Sequence, residues 1–491
     1  EYDVATANPP YTDSADFGPE LKKFIEDNYK KPYKFHTNLY AAVIKRCYEM
    51  TGSDGKIAMI HPHTFMFIKT FEDVRKFMID KCHVDIMIDF GLDRINLFNP
   101  GVRLDATFYV LSKGKNDKEG LYFSLTTNLQ EKFKKGKFLE ALNDYIAGMS
   151  NDRVYSLEQD KLKIIKSWPF IYWISDEFRE KFGANSIGEE LNNGQGLITS
   201  DNNRFLRFHW EVEEEHIQKE EGVRCKWIRY SKGGPFVKWY GNLWLVVNWE
   251  NNGFEIKNFV DEKGKQRSRP QNESFYFKSG VTYSSAGSKG ASFRYLPINH
   301  IFDSGGSSIF GSSKYNNPYY VLALLNSSLA RYIIDCLNPT VNTQVGDIGR
   351  VPFIIPNSYH DKIVTRLSKR NVSIKKENNK FSIVEPEFSY SPFNDVPNLD
   401  IRGRIKFFFN YENHLLTQVL INEAIINEKI FEVYDLTEHD KAMVLAKEGE
   451  SIGGLPVLPE ARDAYLSETE ATKEFPLDAV RDFIKSLPTK E

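Results

Sequence analysis

Cysteine is scarce in this 491-residue chain, and Cys47, Cys82, Cys225 and Cys336 stand far apart. That spacing excludes a paired zinc motif and a disulfide framework, and it fits a reducing cytoplasm. Long apolar runs are missing as well: none approaches the ~18 residues that would cross a membrane. The opening EYDVATANPP has neither the basic region nor the apolar core of a signal peptide. No glycine-rich turn follows the first strand-like segment, so the usual cradle for a nucleotide-type cofactor is not found there. GSDG at 52–55 and SGGSSIFGSSK at 304–314 have the wrong context. Repeats of solenoid type are absent, and so is a PD…(D/E)xK pattern, which weighs against an endonuclease in this portion.

Strong net charge is lacking too, at −3 overall, but charge is unevenly placed. From Gly222 to His300 there are 13 Lys and Arg against 5 Asp and Glu, a local balance of +8, immediately after the acidic stretch Glu211 to Glu221. A basic patch inside a mildly acidic chain is what a polyanion-binding face requires. A solvated surface with chance clustering is the competing reading.

What is present begins with DVATANPPYTDS at 3–14. Tyr2 to Ala7 reads as a strand that stops at Asn8, because consecutive prolines fix φ and remove two backbone donors. The result is a rigid corner carrying an amide and an aromatic ring, at the strand end where α/β folds place their chemistry. Periodicity then predicts a helix over Thr37–Thr51 with Thr37 as N-cap. After a turn at GSDG come a strand at Lys56–Ile60, a helix after Thr70, and strands at Val84–Phe90 and Ala106–Lys113. That alternation is the pattern of a parallel α/β sheet. Residues from about 114 to 167 are charged and mixed, as in linking helices and loops. From WPFIYWISDEF onwards, short aromatic strands joined by Gly and Asn turns follow. Tyr319–Asn338 reads as one strongly apolar helix, and the region after about Asn357 as amphipathic helices with a polar tail.

Asn-Pro-Pro-Tyr after an apolar strand resembles the catalytic motif of amino-group DNA methyltransferases, above all the N6-adenine enzymes. The order GKIAMIHP, then LFNPGVRLDATFYVL, agrees with it. Segments from GQGLITSDNNRFLRF through KGGPFVKWYGNLWLVVNWENNG, RSRPQNESFYF and LNPTVNTQVGDIGRVP are similar to the recognition region of PglX-type methyltransferases of BREX phage-defence systems. INEKIFEVYDL is similar to their helical tail. The resemblance implies an α/β fold: the late half of a parallel-sheet, S-adenosyl-L-methionine-dependent methyltransferase domain at 1–115, with a helical linker or insertion at 116–180. A mixed α+β DNA target-recognition domain at 181–356 and a helical C-terminal region at 357–491 would follow. It further implies double-stranded DNA as partner, possible contacts with other phage-defence subunits, no membrane and a cytoplasmic location. The abrupt start of the sheet leads us to expect a C-terminal portion of a longer protein, inactive alone. A fused restriction-modification enzyme, or a non-catalytic specificity module, are the alternatives.

The chemistry gives each corner residue a task. The adenine amino nitrogen is a poor nucleophile, since its lone pair is delocalised into the ring. Acceptors on both of its N–H bonds favour the tetrahedral, positively charged geometry of attack. Asn8 Oδ1 and the Pro9 carbonyl are the candidates, with Pro9 and Pro10 holding that carbonyl rigid. The resemblance also makes Asn8 a partial contact to S-adenosyl-L-methionine. Tyr11 would stack on the extruded base, and Phe98 matches the position of a second stacking ring, unless it merely plugs the core. Asn202, Arg204 and Arg207 could read base edges or hold phosphates. Lys226, Arg229, Lys232 and Lys238, interleaved with Trp227, Tyr230 and Trp239, suit phosphates, and Arg267 and Arg269 form a second cluster. His61 and His63 alternate as metal ligands might, but no third ligand accompanies them, and no metal is expected.

Overall fold

A computed structural model describes residues 1–91, 105–126, 131–218, 225–287, 289–340, 342–394, 396, 398–449 and 467. The chain divides into two compact units, Glu1–Gly183 with Cys336–Pro339, and Ala184–Asp335 with Thr340–Glu491.

In the first unit the elements run β1 (Tyr2–Ala7), α1 (Pro19–Tyr29), α2 (Leu39–Met50), β2 (Thr51–Pro62), α3 (Glu72–Lys81), β3 (Cys82–Asp89), β4 (Ala106–Lys113), β5 (Glu119–Ser124), α4 (Glu131–Ile146), β6 (Val154–Glu158) and α5 (Asp176–Lys181). The six strands form one sheet in the order β1-β2-β4-β3-β5-β6. β1 and β2 are parallel, as are β3 and β5. β4 is antiparallel to both of its neighbours, so the sheet is mixed rather than wholly parallel. Alternation of strand-like and helical segments foretells the strands but not the direction in which each pairs, so the antiparallel β4 is settled only by its pairing.

Helices cover both faces of this sheet. On one face Ile57, Met59, Val84, Met87, Tyr109 and Leu111 pack with Ile44 of α2 and with Phe77 and Met78 of α3. On the other, Ile88 and Phe123 pack with Ala141 of α4. Each such large side chain removed from water contributes roughly 1.5–3 kcal/mol.

Local boundaries depart from the sequence reading at several points. The cap of α2 is Asn38, whose side chain accepts from Tyr40 N, rather than Thr37. A single 3-10 turn at Lys69–Phe71 precedes α3, and Thr70 lies inside it instead of capping. GSDG is not a turn but part of β2, where the register against β1 shifts between Tyr2 and Val4. Gly55 is required there: a Cβ would sit 2.3 Å from Thr51 Cγ2 and 2.9 Å from the Asp3 carbonyl. Residues 116–180 add two strands, β5 and β6, to the sheet as well as helices.

The second unit begins with α6 (Ile187–Glu190), β7 (Asn192–Gly194), α7 (Asn202–Phe205), β8 (Leu206–Phe208), β9 (Trp227–Ser231), β10 (Leu245–Asn248) and α8 (Glu250–Lys257). It continues with β11 (Gly280–Tyr283), β12 (Phe293–Leu296), β13 (His300–Phe302), β14 (Ser308–Phe310), α9 (Pro318–Asn326), α10 (Ser328–Leu337), α11 (Val345–Ile348), α12 (Ser358–Asn379), α13 (Ile401–Val433) and α14 (Glu438–Glu448). Two four-stranded sheets, β13-β9-β10-β8 and β12-β11-β14-β7, share a core that includes Ile228, Tyr230, Val247, Leu296, Phe302 and Phe310. α9 packs on β11 and β12, and α12 packs on α9 and α13.

The apolar segment 319–338 is two helices bent by 69° rather than one. Ser327 makes the break: its hydroxyl donates to Leu324 O at 2.6 Å and accepts from Ala330 N at 3.2 Å, ending one helix and capping the next. Among the described residues no single helix is long and apolar enough to cross a membrane.

Candidate active site and nucleic-acid-facing residues

β1 ends with Ala7 paired to Met59, and the chain leaves the sheet at Asn8. Asn8 is exposed, Pro9 buried and Tyr11 half-buried. The Tyr11 hydroxyl donates to Asn8 Oδ1 at 2.6 Å, so the proposed acceptor for the amino group already holds a donor. Three contacts tie this corner to the start of α2. Leu39 N donates to Thr12 O at 3.0 Å, Asn38 Nδ2 donates to Asp13 Oδ1 at 2.8 Å, and Asn38 Oδ1 caps the helix at Tyr40 N. One asparagine thus orients both the helix and the loop that follows the prolines.

Behind the corner lies an aromatic stack. Tyr11 meets Tyr40 edge-on at 6.5 Å, and Tyr40 lies flat on the His61 ring at 4.5 Å. His61 Nε2 bonds the Tyr109 hydroxyl at 2.8 Å, and its Nδ1 lies 3.1 Å from Pro62 O. Burial pushes the His61 pKa down to about 3, so the ring is neutral at physiological pH. Neutral imidazole with Nδ1–H donating to Pro62 O and Nε2 accepting from Tyr109 satisfies both ring nitrogens.

His63 has a different partner, Asp89 at the end of β3, with Nδ1 3.1 Å from Oδ1. Burial disfavours its charge, but the hydrogen bond and charge of Asp89 outweigh that and raise its pKa. Asp89 Oδ1 also accepts from Gly91 N at 2.8 Å, which fixes the chain as it leaves the strand. The two histidines therefore serve separate contacts. Among the described residues no group of three His, Cys, Asp or Glu could hold a metal ion. Phe98, the expected second stacking ring, lies outside the described residues.

The described residues also contain no glycine-rich strand-to-helix turn that would cradle a methyl donor. The corner presents the exposed Asn8 carboxamide with the half-buried Tyr11 ring beside it.

In the second unit the structure groups the expected contacts in a new way. Arg269 pairs with Ile198 across an antiparallel bridge, and Ser200 Oγ donates to Arg267 O at 2.8 Å. These links bring the 267–269 cluster beside α7. Arg204 and Arg267 both place their guanidinium groups over Phe259, at 5.0 and 5.2 Å. Arg267 and Arg269 are exposed. Arg204 is held by Glu255 Oε1 through Nε at 2.9 Å and Nη2 at 2.7 Å. Because both partners are half exposed, such a pair contributes only about 0.2–1 kcal/mol and can be exchanged for a phosphate or base. Asn202 accepts from the Thr199 hydroxyl at 2.6 Å, and Arg207 donates to Asn203 O and Leu206 O while lying over Trp227.

The remaining candidates are engaged inside the unit. Lys226 is exposed, 3.5 Å from Glu250, and Lys232 lies 3.9 Å from Asp303. Lys238 donates to Asn326 O at 3.3 Å and to Glu423 Oε2 at 3.4 Å. Arg229 is largely buried; burial lowers its pKa, and the Glu387, Tyr240 and Glu214 charges oppose that. The aromatics between them divide likewise. Trp239 is buried with Nε1 donating to Glu423 at 2.6 Å, and Tyr230 is buried beside Asp303. Trp227 alone of the three is partly exposed. Asp89, Tyr40, Phe259 and Glu423 had no signal in the sequence, since each is defined by a partner far along the chain.

Known proteins resemble this chain in sequence and in fold. Residues 1–98 match the family model of the Eco57I restriction-modification methylases. The chain is 29% identical over 385 residues to the adenine-specific methyltransferase PglX of Lacticaseibacillus casei (strain Zhang), covering 77% of this chain and 31% of that protein. To the adenine-specific methyltransferase BrxX of Escherichia coli O9:H4 (strain HS) it is 26% identical over 464 residues, covering 90% of this chain and 35% of that protein. The chain thus spans about a third of the length of these relatives. In fold it is similar to the Type IIL restriction-modification enzyme MmeI, solved in complex with DNA, with a TM-score of 0.52 at 11% identity over 91% of this chain and 57% of that one.

Proposed function

We propose that this chain carries the amino-group half of the active site and the target-recognition region of a site-specific N6-adenine DNA methyltransferase of BREX-type phage defence. S-adenosyl-L-methionine would be its methyl donor and double-stranded DNA its substrate. Work in the cytoplasm, alongside other defence subunits, belongs to the same reading. The observation that carries it is the corner itself: Asn8 exposed at the end of β1, followed by the buried Pro9, with Tyr11 bonded to the Asn8 carboxamide.

The donor, when bound, supplies an electrophilic methyl group. Asn8 Oδ1 and the Pro9 carbonyl accept the two N–H bonds of an extruded adenine and draw its nitrogen towards tetrahedral geometry. Prolines on both sides keep the carbonyl from moving, so little reorganisation accompanies reaction. Tyr11 releases Asn8 and stacks on the base, offsetting part of the few kcal/mol that extrusion costs. The excess N6 proton leaves to solvent after methyl transfer, so no buried base is required. With no glycine-rich cradle in its sequence, this chain alone is expected not to methylate.

The test is expression of the full-length protein in cells lacking other adenine methylases, followed by sequencing that detects N6-methyladenine. One motif methylated throughout the genome is the expected result. Absence of the mark above background overturns the reading. Asn8→Ala should abolish the mark, by at least ~10²-fold in rate, while leaving DNA binding intact.

A further inference from the structure

Between β10 and the helical end of α8 the backbone does something unusual. Asn251, Asn252 and Gly253 all lie in the left-handed region, at φ 50°, 61° and 72°. Successive left-handed residues are disfavoured for L-amino acids, and outside glycine the conformation is tolerated best by asparagine and aspartate. The turn is nonetheless firmly built. Gly253 N donates to Trp249 O at 3.1 Å, and a Cβ on Gly253 would lie 2.7 Å from the Trp249 ring. Trp249 is itself buried, edge-on to Tyr276 at 5.5 Å with Lys257 over its ring at 5.1 Å. Asn248, at the end of β10, accepts from Glu250 N at 3.2 Å and donates to Glu255 Oε2 at 3.0 Å. Glu255 in turn holds Arg204. The turn is therefore fixed to the same carboxylate that orients an expected DNA contact.

On this rigid base the side chains of Asn251 and Asn252 are exposed. Among the described residues neither carboxamide has a hydrogen-bond partner. Conformation alone would favour glycine at both positions, since glycine enters the left-handed region without penalty. Two free amides on a fixed scaffold are a different matter. A carboxamide offers one donor and one acceptor side by side, which matches the N6 and N7 edge of adenine in the major groove. Holding it on a rigid turn reduces the ordering cost of making that pair.

We propose that the left-handed turn at 251–253 is a base-reading element, with Asn251 and Asn252 specifying adenine within the recognition sequence. This rests on the reading of the chain as a DNA methyltransferase. The decisive variants are Asn251→Gly and Asn252→Gly, singly and together, in the full-length protein. Glycine removes the amide while keeping the turn, so thermal stability should be unchanged or higher, whereas recognition should suffer. Selection from a randomised duplex pool should return the wild-type motif with one or two positions now degenerate. Affinity for the wild-type motif should fall about 5- to 150-fold, while affinity for unrelated duplex changes less than about twofold. Asn251→Asp keeps the turn but loses the donor, and should shift preference away from adenine at the position it reads.

The same motif, bound with the same affinity by the glycine variants, overturns the proposal. Mapping N6-methyladenine alongside separates the two claims. A methylating protein with an unchanged motif leaves the reaction standing and removes the turn's role. Selective binding that the variants relax, without any methylation, supports the turn and removes the reaction. A wild-type protein that selects no sequence overturns both.

Discussion

Tyr11 occupies the acceptor that the proposed reaction needs, and its two parts can be tested separately. Tyr11→Phe keeps the ring and deletes the hydroxyl bonded to Asn8. Single-turnover methylation by full-length protein should stay within severalfold of wild type. Tyr11→Ala deletes the stacking face and should cost roughly 1–3 kcal/mol, or 5- to 150-fold. Equal losses in both variants would mean that the hydroxyl, not the ring, is what matters. The buried histidines give a prediction of stability with pH. His61 and His300 have folded pKa values pushed down to about 3 and about 4 by burial. The unfolded chain therefore binds more protons below the ordinary histidine pKa, and stability is lost as pH falls through that range. At pH 4 each contributes a loss of at most about 3 kcal/mol. His63 acts in the opposite sense, since Asp89 raises its pKa and its contribution fades as pH rises. Melting temperatures from pH 7 to 4.5 should fall steeply, and His61→Gln should flatten the decline. A decline of unchanged steepness in that variant would assign the acid sensitivity elsewhere.

At the scale of elements, the bulge in β2 is a sensitive point. Gly55→Ala would drive a methyl group into Thr51 and the Asp3 carbonyl, displacing β1 and with it the corner. A loss of about 1–3 kcal/mol in unfolding free energy is expected, read from denaturant midpoints. β4 was legible in the sequence because Ala106–Lys113 is a run rich in β-branched and aromatic residues. Its direction was not, since strand order depends on pairing rather than pattern. β5 and β6 were hidden because EGLYFS and VYSLE are short strands in a charged stretch. The caps slipped by a residue because Asn38 and Thr37 are both good cap residues, and only the contact with Asp13 decides between them. Asn8 to Tyr11 could be singled out because the motif is contiguous. The His63–Asp89 pair could not, as its members come from different strands. Ser327 went unread because serine within an apolar run reads as a tolerated helix residue until its hydroxyl is seen to cap α10.

For the whole molecule, the charge pattern matters more than its sum. A net charge of −3 would not draw the chain to a polyanion, yet exposed Arg267 and Arg269 sit on the locally basic region. If they meet phosphates, Arg267→Ala and Arg269→Ala should each reduce the slope of log affinity against log salt by about 1, equally on all sequences. Lys238→Ala should behave otherwise, lowering melting temperature with little effect on that slope, because Lys238 is bonded to Asn326 and Glu423. A full unit of slope lost in Lys238→Ala would reverse that assignment.

If the corner receives adenine as proposed, the hydrogen bond from Tyr11 to Asn8 bears on fidelity as well. A resting enzyme whose acceptor is already engaged ignores casual visitors. Free nucleobases, polyamines and lysine side chains would each have to displace a short internal contact without gaining the stack that compensates for it. An adenine swung out of a bound duplex brings its ring to Tyr11 and its amino group to Asn8 in one movement. On that reading the corner would work as a latch that opens to a single key, holding down background alkylation before any sequence is read.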